Sequence, residues 1–116
     1  MKLAPLALAL AAIVVQPALA QQFGLLRGDT ALGNMNRQDA AMMVRNYTEA
    51  LDRNPDGHTS TWTNAATGAS GTATPLDTGT EKGMACRRIE ITNSAGGASG
   101  RGEYRACKTK DGWKFL

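Results

Sequence analysis

At 116 residues, 42% hydrophobic but only 5% aromatic, with two cysteines, one histidine and a formal net charge of +3, the chain has room for one small domain. Without a CxxC spacing and with a single histidine, it gives no basis for a metal site, a cofactor or a dithiol redox centre. A net charge of this size, by itself, points to no class of partner.

The amino-terminal residues read as an address rather than as structure. Met1-Lys2 supplies a positive charge, Leu3 to Val15 is apolar apart from Pro5, and Ala18-Leu19-Ala20 fits a small-x-small cleavage site. Residues 1–20 are therefore expected to be a signal peptide, with Gln21 first in the mature chain. The apolar core is shorter than the roughly 20 residues a membrane helix needs, so no transmembrane span is expected after its removal. No cysteine lies near the cleavage site to carry a lipid, and a soluble exported product is expected, in the periplasm or at the outer membrane or cell surface. A domain of this size has a marginal core, and an exporting compartment allows a disulfide worth about 3 kcal/mol.

Taken in order, residues 21–35 mix Gly, Gln and scattered apolar positions without a period and read as a flexible lead-in to a domain over 36–116. From Arg37 to Arg53, Ala40, Val44, Tyr47 and Leu51 recur at helical spacing, with Met43 widening the stripe. Asn36 is placed to cap this helix, and Asp39 three positions on completes a capping-box variant. Asn54-Pro55-Asp56-Gly57 stops it. His58 to Asn64 alternates as a strand, Ala65-Ala66-Thr67-Gly68 turns, and Ala69 to Thr74 returns, with Trp62 set opposite Gly71. Pro75 to Lys82 reads as a connecting loop.

Two β-type segments then flank the glycine-rich loop Ser94 to Ser99. Folding back about those glycines pairs positions whose numbers sum to 193, which sets Cys86 opposite Cys107 and predicts a disulfide between them. The same register places Ile89 opposite Tyr104 and Ile91 opposite Gly102 on a dry face, while Arg88, Glu90, Glu103 and Arg105 share the cysteines' face. Lys110-Asp111-Gly112-Trp113 predicts a final two-residue Asp-Gly hairpin that brings Trp113 and Phe115 to the dry side. The fold expected is α+β: one N-terminal amphipathic helix on a single antiparallel sheet of about four to five strands, with one disulfide.

With these residues in view, the chain resembles the carboxyl-terminal domain of the rickettsial-type seventeen-kilodalton surface antigens, a family of envelope proteins. The resemblance spans roughly Leu32 to Leu116. It rests on Asp39, Ala50-Leu51, Pro55-x-Gly57, Thr61-Trp62-Thr63-Asn64, Thr67-Gly68-x-x-Gly71-Thr72, Cys86-Arg87, Ala106-Cys107 and Asp111-Gly112-Trp113 arriving in that order. It implies an exported domain associated with the outer membrane or cell surface, and brings no catalytic residue. The lipid-modified cysteine and the glycine-rich membrane segment that some family members carry ahead of the domain are missing from this sequence.

Charge is distributed unevenly. Gln21 to Glu81 holds four basic and seven acidic residues, Lys82 to Leu116 eight basic and three acidic. Arg87, Arg88, Arg101, Arg105, Lys108 and Lys114 are the candidate anion- or partner-binding residues, for a lipid head group, a lipopolysaccharide phosphate, a wall polymer or an envelope protein. Set against this is a solvated sheet face on which diagonal Arg/Glu neighbours offset one another. His58 with Asp56 and Ser60 lacks the rigid nucleophile turn and oxyanion hole of a hydrolase, and the facing Glu90 and Glu103 sit beside Arg88 and Arg105, which favour two ionised acids. The function expected is a non-enzymatic envelope protein interacting with outer membrane, wall or an envelope protein. A soluble periplasmic binding or inhibitor module, presenting loops Leu76 to Gly83 and Asn93 to Gly100, is the alternative. Nucleic acid is not an expected partner.

Overall fold

The computed structural model describes residues 30–116, so the expected signal peptide and the first part of the expected lead-in lie outside the described residues. A short 3-10 turn at Thr30–Asn34 precedes helix α1, Arg37–Arg53. Five strands follow: β1 Ser60–Thr63, β2 Ser70–Glu81, β3 Met84–Ala95, β4 Ala98–Thr109 and β5 Gly112–Phe115. They form one antiparallel meander in the order of the sequence, with α1 on one face. The described part of the lead-in is more ordered than its composition suggests. Ala31 is buried, Thr30 Oγ1 donates to the Ser99 carbonyl at 3.1 Å, and Asn34 Nδ2 donates to the Ala95 carbonyl at 3.2 Å.

The helix begins as its sequence dictates. The Asp39 N–H donates to Asn36 Oδ1 at 2.7 Å and the Asn36 N–H to Asp39 Oδ2 at 3.0 Å, a reciprocal capping box. Ala40, Met43, Tyr47, Ala50 and Leu51 are buried against the sheet, with Val44 half-buried beside them. Arg45, Glu49 and Arg53 face solvent.

The cysteine hairpin folds in the expected register: Cys86 faces Cys107, Ile89 faces Tyr104 and Ile91 faces Gly102. Cys86 and Cys107 are disulfide-bonded, their Cα atoms 4.0 Å apart. Ile89, Ile91 and Ala106 on the helix side are buried, and Phe115 brings its ring to 5.2 Å from Tyr47 and 5.8 Å from Tyr104. Trp62 lies opposite Gly71 as expected. A Cβ at Gly71 would meet the Trp62 indole nitrogen and stand 2.5 Å from the Thr92 carbonyl oxygen, so the absent side chain is what lets the indole reach the sheet.

Three boundaries differ from expectation. Pro75 to Lys82 is not a loop, because β2 continues to Glu81 and turns at Lys82-Gly83, both at positive φ as a tight hairpin requires. A break in register between Pro75 and Asp77 accommodates the proline. The Pro75 carbonyl accepts from the Gly57 N–H at 2.6 Å, so Pro75 turns its backbone away from β3 and its missing N–H costs no β2–β3 bond. Ser94 to Ser99 is likewise strand at both ends, leaving only Gly96-Gly97 to turn. The last hairpin turns one residue early, at Lys110-Asp111, with Gly112 already paired to Thr109.

Candidate functional site

The outer face of the sheet is where the sequence places most of its candidate binding cations, and the registers fix what stands beside each. Arg88 Nε donates to Asp77 Oδ2 at 2.9 Å, and its Nη1 reaches Glu103 Oε1 at 2.5 Å. Arg101 Nε donates to Glu90 Oε2 at 2.6 Å, and Arg105 pairs with Glu81. The two acids beside Arg88 hold its guanidinium above its ordinary range. Lys114 lies on the same face opposite Cys107 and makes no ion pair among the described residues. Arg88, Arg101, Arg105 and Lys114 thus share the face with Asp77, Glu81, Glu90 and Glu103, and positive and negative charge balance. The disulfide lies on this face with its cysteines only 5% and 2% exposed.

Arg87 stands apart from the other cations. Its parity with Ile89 and Ile91 turns it to the helix side, where it is 8% exposed. Nη1 donates to the Ala50 and Leu51 carbonyls at 3.2 and 2.8 Å, and Nη2 to the Asn54 carbonyl at 2.7 Å and Asp56 Oδ1 at 2.8 Å. Nε donates to Thr78 Oγ1 at 2.8 Å. All of its N–H groups are engaged, so Arg87 ties the carboxyl end of α1 to the sheet and has no donor left for an external anion. The alternation Arg87-x-Ile89-x-Ile91 is the signal that places it there.

Lys108 also lies on the helix side, opposite Trp113. Its ammonium donates to Asp52 Oδ1 at 2.7 Å and stands 5.6 Å from the Trp113 ring centroid. The Trp113 indole N–H donates to the same oxygen at 2.8 Å. At the other end of α1, the Asp39 carboxylate accepts from Asn64 Nδ2 and Thr67 Oγ1, both at 2.7 Å. Sequence reasoning placed Asn64 at a strand end and Thr67 in a turn without giving either a partner; they fasten the β1–β2 turn to the helix start. Asp39, Asn64, Arg87 and Trp113, which carry the resemblance, hold elements together.

The groups considered for chemistry are engaged with other partners. Asp56 is bound by Arg87 and by the Thr78 hydroxyl at 2.8 Å, and Ser60 Oγ accepts from Asn54 Nδ2 at 2.7 Å. Neither hydrogen-bonds His58, whose carbonyl accepts from Asn54 at 3.1 Å. Glu90 and Glu103 face each other, each with its own arginine. Among the described residues, no group of three His, Cys, Asp or Glu is placed to hold a metal, and no helix is long and apolar enough to cross a membrane.

Three carboxylates carry the pH dependence of this arrangement. Burial pushes the Asp39 carboxyl up, but the hydrogen bonds from the Asn36 N–H, Thr67 and Asn64 together outweigh it and hold the group below its ordinary value. Lys108, then Trp113, hold Asp52 down, and Arg87, then Thr78, hold Asp56 down. A depressed folded value means that the unfolded chain binds protons first as pH falls. The stability these groups supply is complete above the ordinary carboxylate range near pH 4 and is lost as pH drops through their folded values. The Tm is therefore expected to hold steady from about pH 7 to about pH 5 and to fall steeply below about pH 4. Calorimetry across that range checks it, and Asp52→Asn should flatten the acid limb.

A family model described as 17 kDa outer membrane surface antigen matches residues 49–114, more than half of the chain. The match opens within the last turns of α1, covers β1 to β4 and ends inside β5. No curated protein and no solved structure matches the chain. Its Arg87-anchored helix and cystine-tied sheet are thus those of a chain that belongs to the 17 kDa outer membrane surface antigen family.

Proposed function

We propose that this protein is an exported, non-enzymatic component of the bacterial envelope that acts by binding outer membrane, cell wall or another envelope protein. Family membership supports the compartment, and the pairing of side chains supports binding over catalysis. Asp56, Glu90 and Glu103 are each tied to an arginine, and Ser60 Oγ is held by Asn54. The observation that carries the reading is the outer face, where every arginine of β3 and β4 is paired with an acid and Lys114 of β5 brings the count of cations to that of the acids. A face of that kind gives no bulk attraction to an anionic surface, so its recognition depends on shape and on individual groups. For the inhibitor reading, Leu76 to Gly83 and Asn93 to Gly100 are mostly paired strand and offer the short exposed turns Lys82-Gly83 and Gly96-Gly97 in place of longer loops.

Fractionation of cells making the full chain tests this. The protein is expected with the periplasm or the membranes, and its retention is expected to change little with moderate salt. Recovery in the cytoplasm would contradict the proposal.

A further inference from the structure

Trp113 stands between two depressions bordered by α1. One, of about 190 Å³, is lined by Tyr47, Thr48, Asp111, Gly112, Trp113 and Phe115. The other, of about 480 Å³, runs along the carboxyl end of α1 and is lined among others by Asp52, Arg53, Arg87 and Lys108. The first offers aromatic surface beside a carboxylate and a hydroxyl. Gly112, at positive φ, forms part of its rim. The second offers more positive than negative charge.

The indole that divides them is fixed. Its N–H is bound to Asp52, and Asp52 is itself held by Lys108. Lys108 retains further N–H donors beyond that bond, and Arg53, exposed in the last turn of α1, makes no ion pair among the described residues. Arg87 contributes charge but no free donor. Aromatic rings take the C–H face of a sugar, a carboxylate and a hydroxyl take its O–H groups, and two cations lining the other depression that Trp113 borders take an acidic substituent.

We propose that the two depressions around Trp113 form a binding site for an acidic sugar. The ring lies against Trp113 and Phe115 with its hydroxyls toward Asp111 and Thr48, and its carboxylate or phosphate points to Arg53 and Lys108. The envelope reading supplies only the source: a carboxylated sugar comes from wall glycan and a phosphorylated one from lipopolysaccharide. The site chemistry does not depend on it.

The test titrates the purified full chain with three soluble probes and follows the indole N–H resonances of Trp113 and Trp62 by NMR. The probes are N-acetylglucosaminyl-N-acetylmuramic acid, a glucosamine phosphate and neutral di-N-acetylchitobiose. At least one acidic probe should move the Trp113 signal below about 10 mM, with the neutral sugar weaker by roughly tenfold. Trp62, buried at the far side of the sheet, should stay in place and reports that the fold is intact. A response to the muramic acid probe alone assigns the site to wall glycan, and one to the phosphate alone to lipopolysaccharide. Arg53→Gln should bring the acidic probes down to the neutral one. A Trp113 signal that no acidic probe moves, or an acidic preference unchanged by Arg53→Gln, overturns the proposal, and neither result bears on where the protein fractionates.

Discussion

Replacing Arg87 by methionine is expected to lower the unfolding free energy by about 3 kcal/mol, a fall of roughly 10–20 °C in Tm for a domain of this size. The side chain that remains fills part of the space, but the carbonyls of Ala50, Leu51 and Asn54 lose their donors at the end of α1, and Asp56 loses its cation. Most of the loss lies in the backbone carbonyls, since the Asp56 side chain is 43% exposed and its ion pair is partly screened. Arg87→Lys should recover only part of it: an ammonium keeps the charge but cannot fork toward three carbonyls, a carboxylate and a hydroxyl at once. Thermal unfolding of the two variants beside the parent protein measures the difference. An Arg87→Met protein that melts with the parent would show that α1 is held by its apolar stripe alone.

Removing the disulfide, by reduction or by Cys86→Ala with Cys107→Ala, is expected to cost a similar amount, about 3 kcal/mol. The cysteines are 21 positions apart in sequence. The β3–β4 ladder already places them face to face, so the bond acts mainly by restricting the unfolded chain. The alanine pair should therefore retain the native sheet at low temperature and melt earlier. Circular dichroism with and without reductant separates these outcomes. An unfolded alanine variant at low temperature would mean that the bond is needed to form the sheet as well as to stabilise it.

Where alternation, turn chemistry and capping agree, the fold is legible in the sequence. Asn36 and Asp39 announce the start of α1, Asn54-Pro55 its end, and the glycines between Ala95 and Ala98 a single register that puts the cysteines together. Trp62 against Gly71 follows from the same counting. What escaped is what pairing overrides. Pro75, Asp77 and Gly79 have poor strand propensity, yet the ladder to β3 carries β2 through them once the register breaks after Pro75. Thr30–Asn34 has no period because only Ala31 is buried and side-chain bonds to distant carbonyls hold the rest.

The candidate cations were legible as a set but not as individuals. Sequence gives their number, whereas partner assignment needs the third dimension. The bulge moves Asp77 beside Arg88, strand parity turns Arg87 inward, and Asp52 approaches Lys108 only because α1 crosses the sheet. The depressions around Trp113 escaped for the same reason, being assembled from a helix and a hairpin far apart in the chain.

Peptide mapping of the protein purified from its native cells, alkylated without reductant and digested, bears most directly on the cystine-tied sheet. The fold described here predicts that the peptides holding Cys86 and Cys107 are recovered joined, with neither sulfur alkylated. Recovery of both peptides separately, each carrying the alkyl group, would contradict it.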